Sequence, residues 1–165
     1  MIFFIILIVT IVLTWKFADW RNWQKYQPTM LLFALGNLFY NYVYHDRFLW
    51  LYNPKILNSH IVELIFTFTV LPLTALIFLS NFPENRRNQF FHILKYIIIF
   101  ILVEYFLYKI DNFKYDFGWN IWFSLAWDAI MFFILAVHHR RPLQAYGLCS
   151  LVIVLMDLIF PFKLD

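Results

Sequence analysis

Of the ten acidic residues in this chain, the informative ones are those inside long apolar stretches, namely Glu63, Glu104, Asp128 and Asp157. A carboxylate in an apolar medium must be protonated, paired or wetted, so each marks a place where a proton, a cation or a basic small molecule could be held. Advancing about 100° per residue, His60, Glu63, Thr67 and Thr74 share one helical face that continues to Asn81. Glu104 and Tyr108 stand one turn apart. Asn37, Asn41 and Tyr44 share another face, as do Tyr146, Ser150 and Asp157. The candidate ligand- or proton-binding residues are therefore His60, Glu63, Glu104, Tyr108, Asp128 and Asp157.

Two readings of these residues stay open. In one, the carboxylates and His60 form a site open to the outside, with Asp128 at its floor. In the other, Glu63, Glu104 and Asp157 are interfacial residues whose carboxylates reach the headgroup layer. Asp128 lies too deep for that, so it is expected to be protonated or held in a polar pocket, with Asn37, Thr67 and Ser150 as its partners. His60 and Glu63 have the one-turn spacing of metal ligands, yet only His45 stands near enough to join them, so no metal site is expected. The single cysteine, Cys149, excludes an internal disulfide and a thiolate zinc site. Nucleophile-elbow and glycine-rich phosphate motifs are absent, so neither a catalytic residue nor a cofactor is expected.

The elements that position these residues are apolar helices. The 165 residues are 63% hydrophobic and only 14% charged, a balance suited to a bilayer rather than to water. About 20 apolar residues cross the hydrocarbon layer as a helix. Six segments approach or meet this length, at about 2–17, 29–44, 60–80, 90–108, 119–137 and 143–160. No linker separates them, so the expectation is a single all-α transmembrane domain over 1–165, a polytopic helical bundle. Pro72 should bend the third span. The three glycines include no GxxxG pair, leaving Ala126, Ala129 and Ala136 as the one narrow strip for close helix approach.

Lys16, Arg21, Lys25, Arg86, Arg87, Lys95, Arg140 and Arg141 fall on one side, against Arg47, Lys55, Lys109, Lys114 and Lys163 on the other. This bias predicts that the first side is cytoplasmic and that both termini face outward. Glu63, Glu104 and Asp157 then lie at similar depth near the outer surface. A net charge of +3 distributed between apolar spans suits lipid headgroups and argues against nucleic acid.

The stretch from Trp15 through Trp23 to Tyr26, Glu63 at the head of its span, the Phe82-Pro83-Glu84-Asn85 run, Glu104, and Trp119 with Trp122 carry a resemblance. On these residues the chain resembles a family of small uncharacterised multi-pass membrane proteins of spore-forming low-GC bacteria. The resemblance implies membrane class and bacterial origin and carries no mechanism. Two functions follow as expectations. One is a non-enzymatic accessory, sensor or small-ligand-binding component, partnered by the bilayer, another membrane protein, or a small cation or polar ligand. The alternative is a proton- or cation-coupled transporter or its substrate-binding subunit.

Overall fold

The computed structural model describes residues 2–55 and 57–161. Six helices follow one another: α1 (Ile2–Phe17), α2 (Gln27–Val43), α3 (Ser59–Ser80), α4 (Arg86–Lys109), α5 (Ile121–Arg140) and α6 (Pro142–Ile159). A short 3₁₀ turn, Trp20–Lys25, joins the first two. The last four helices are long and apolar enough to cross a membrane, while apolar α1 is shorter. Asn58, Asn85 and Asn120 fix the starts of α3, α4 and α5, each side chain accepting a backbone N–H of the first turn. Arg141 precedes a proline and leaves the helical region, which separates α5 from α6.

Contacts at the ends fix the course of each helix. The Phe3 ring lies 5.4 Å from Tyr52 and 6.0 Å from Phe66. At the other end of α1, the Asp19 N–H donates to Ser80 Oγ at 3.1 Å and Asn81 Nδ2 to the Phe17 carbonyl at 2.9 Å. Tyr26, before α2, stacks on His139 at the end of α5, and Tyr44, after α2, donates its hydroxyl to the Phe160 carbonyl at 2.9 Å. All six helices thus run from one end of the bundle to the other in alternation.

Where a bend is expected at Pro72, what the structure shows is a change of winding. The ring has no N–H for the Phe68 carbonyl and would crowd it, and the turn before it, Phe66–Val70, is wound as a π-helix. The Leu71 N–H accordingly donates five residues back, to the Phe66 carbonyl.

A feature the sequence reading placed in loops is a two-stranded antiparallel sheet. Strand β1 (Trp50–Tyr52) follows α2, β2 (Phe113–Tyr115) follows α4, and the register pairs Trp50 with Tyr115, Leu51 with Lys114 and Tyr52 with Phe113. Alternation sends Trp50, Tyr52, Phe113 and Tyr115 to the bundle side, where they join its apolar clusters. Phe117 and Gly118, both with positive φ, turn the chain from β2 towards α5.

Away from the sheet, Phe78 and Phe132 are fully buried and 5.2 Å apart, with Tyr96 5.0 Å from Phe78 and Phe100 5.0 Å from Phe132. Ala136 is buried and Ala129 packs against this core, but Ala126 is exposed, so the expected alanine strip is only partly used. The outer faces are apolar too. Leu143, Leu158 and Leu151 on α6 are 84%, 72% and 54% exposed.

Candidate functional site

The site begins with how β1 satisfies its free edge. Trp50 turns its N–H and C=O away from β2, and the Tyr40 hydroxyl takes the place of a third strand, accepting from the Trp50 N–H at 2.9 Å and donating to its carbonyl at 2.7 Å. The two rings also stack at 3.8 Å with an interplanar angle of 6°. One pleat further on, the Tyr52 N–H donates to the Glu63 carboxylate. Glu63 also accepts from Asn41 and, at 3.5 Å, from Asn37 Nδ2. Asn37 donates to Thr67 Oγ1 at 2.7 Å, and that hydroxyl donates to the Glu63 carbonyl at 2.7 Å. Glu63 is thus a buried acceptor that ties α2 and β1 to α3.

Glu104 does the same for the second strand. Its Oε1 accepts the Tyr115 hydroxyl at 2.6 Å, and Ser124 supplies a further hydrogen bond. Ser124 Oγ in turn accepts from Trp119 Nε1 at 2.9 Å. Asp128 lies one turn after Ser124 on α5, 5% exposed, within electrostatic reach of Glu104. Its Oδ2 is buried and has no hydrogen-bond partner among the described residues.

Tyr52 unites the three carboxylates. Glu63, Glu104 and Asp128 all act electrostatically on its phenol, which burial first and these charges second push well above its ordinary range. Burial and Glu104 likewise raise Tyr115. Both phenols therefore stay neutral and remain donors. Around Tyr52 stand Phe66 at 4.6 Å, Phe3 at 5.4 Å and Phe113 at 5.5 Å, an apolar collar that keeps the dielectric low.

Of the residues singled out in the sequence, Glu63, Glu104 and Asp128 share an electrostatic effect on Tyr52, and the others have different surroundings. His60 is exposed in the first turn of α3, its ring 6.4 Å from Phe48. Tyr108 is 46% exposed and meets Glu104 only through Tyr115, 5.0 Å away. Asp157 is half-buried on α6, where its charge acts on Tyr44. The expected partners of Asp128 are engaged elsewhere. Asn37 and Thr67 serve Glu63, and Ser150, exposed, donates to the Tyr146 carbonyl at 3.1 Å. Tyr40, Tyr52, Tyr115 and Ser124 were missed. A signal existed for two of them, since Trp-Leu-Tyr and Phe-Lys-Tyr each alternate aromatic and non-aromatic residues between turn-forming Asn, Pro and Asp.

No three His, Cys, Asp or Glu side chains among the described residues stand close enough to hold a metal ion. What the three carboxylates share is their electrostatic effect on the Tyr52 phenol. Compared with protein-family models, curated proteins and solved structures, the chain matches none.

Proposed function

We propose that this chain is an integral membrane protein of six spans with extracytoplasmic termini, and that it works as a non-enzymatic, proton-binding sensor or accessory component. The membrane reading is supported by the apolar helices and by large side chains such as Ile8, Phe68, Leu102 and Leu158 left open on their outer faces. The orientation follows from the excess of Lys and Arg at the end opposite the sheet.

The observation that carries the proton-binding role is Asp128, 5% exposed, with an oxygen unpartnered among the described residues and within electrostatic reach of Glu104. Carboxylates so arranged in a low dielectric do not all carry charge, and a proton is the smallest ligand that relieves them. The sheet supplies the readout. Each strand is attached to one carboxylate, β1 through the Tyr52 N–H to Glu63 and β2 through the Tyr115 hydroxyl to Glu104. A change of protonation alters the charge that both attachments feel.

The test is proton uptake by the purified chain in uncharged detergent, followed with a pH dye through a pH jump. Wild type should take up about one proton more than Asp128→Asn between alkaline and neutral pH. Equal uptake by the two would remove Asp128 from the reading.

A further inference from the structure

The end of the bundle opposite the sheet carries the reverse charge. Three helix starts have asparagine caps, but α2 and α6 use another device: a proline stands in each first turn, and the N–H groups of Thr29 and Met30, and of Gln144 and Ala145, turn back to the Tyr26 and Arg141 carbonyls. Histidine 138 brings these two starts together. Its Nδ1 is 2.8 Å from Thr29 Oγ1 in the first turn of α2, and its Nε2 is 3.4 Å from Tyr146 Oη on α6.

Cations gather around the same point. The His139 ring stacks on Tyr26 at 5.4 Å and 23°, and Lys25 Nζ stands 5.4 Å from the centre of that tyrosine ring. The Arg140 guanidinium is 5.5 Å from the Phe82 ring. Lys25 and Arg140 both act on His139 electrostatically. No carboxylate forms an ion pair with Lys25 or Arg140 among the described residues. Both Asp19 oxygens accept from Asn22 Nδ2, at 3.0 and 2.9 Å, and among the described residues the one ion pair is His45 with Asp46, beyond α2 at the sheet end. Beside these cations lies apolar and indole surface, with Trp15, Trp23 and Leu143 exposed at 78%, 41% and 84%.

We infer that Lys25, His139 and Arg140 bind the phosphate of an anionic phospholipid headgroup. Clustered basic side chains with no ion pair among the described residues call for an anion. The adjoining indoles and Leu143 favour one attached to an acyl chain over free phosphate. The inference rests on the membrane reading but not on the acidic group beneath the sheet.

The test starts with alkaline carbonate extraction of membranes, in which retention supports the membrane reading and release overturns it independently of any lipid. The full chain in uncharged detergent is then titrated with phosphatidylglycerol, phosphatidylcholine or inorganic phosphate, and thermal unfolding is followed. Phosphatidylglycerol should stabilise, phosphatidylcholine and phosphate should not, and a K25Q/R140Q variant should need roughly thirtyfold more lipid. A K109Q/K114Q variant, altered at the sheet end, should respond as wild type. If K25Q/R140Q does not fold, H139Q replaces it and should weaken the response. Stabilisation by phosphatidylcholine or phosphate equal to that by phosphatidylglycerol would overturn the inference, as would an undiminished response in the site variants.

Discussion

Asp128 and Glu63 are both buried carboxylates, yet their surroundings give opposite expectations for substitution. Glu63 accepts from the Tyr52 N–H, Asn37 and Asn41, so Glu63→Leu strands several buried donors. It should cost about 3 kcal/mol or more in thermal or chemical unfolding, with Glu63→Gln costing less. Asp128 has an oxygen that no described group satisfies, and the partners expected from sequence bond elsewhere. Asp128→Leu therefore strands no known donor and should leave stability within about 1 kcal/mol of wild type, or raise it. A loss of several kcal/mol would reveal a partner for Asp128 and contradict this account. The sequence made the depth of each carboxylate legible, because hydropathy and span boundaries set depth. It did not reveal their partners, because pairing depends on how the helices are rotated against one another, and a chain pattern with polar residues on five helices fits several rotations.

At the level of elements, the helices were legible because long apolar runs have few alternatives, and their ends shifted only where local chemistry intervened. Asn120 moves the start of α5 to Ile121, and His138, His139 and Arg140 remain helical until the residue before Pro142. The sheet was not legible. Each strand has three residues, and its partner lies some sixty positions away, across two helices. Its existence gives a direct prediction. With Cys149 removed, cysteines at Leu51 and Lys114, opposite each other in the register, should cross-link readily under mild oxidation or with a short bifunctional thiol reagent. Cysteines at Leu51 and Lys109 should not. Failure of the first pair, or equal reaction of both, would separate the strands and remove the shared cover over the carboxylates.

For the molecule as a whole, the sheet joins the α2–α3 and α4–α5 connections, so these must share one side of any membrane that the helices cross. With Cys149 removed, single cysteines at Asn85 and Gln144 should react with an impermeant thiol reagent only from the cytoplasm, and one at Asn112 only from outside. Reversal of all three would invert the orientation while leaving the alternation of helices intact. The central claim is that a proton resides among the carboxylates beneath the sheet. Infrared difference spectroscopy of the reconstituted protein, wild type against Asp128→Asn across a pH titration, tests it most directly. A protonated-carboxyl C=O stretch is expected at pH 7 in wild type and should be missing in Asp128→Asn. A wild-type spectrum at pH 7 with only ionised carboxylate bands would contradict it.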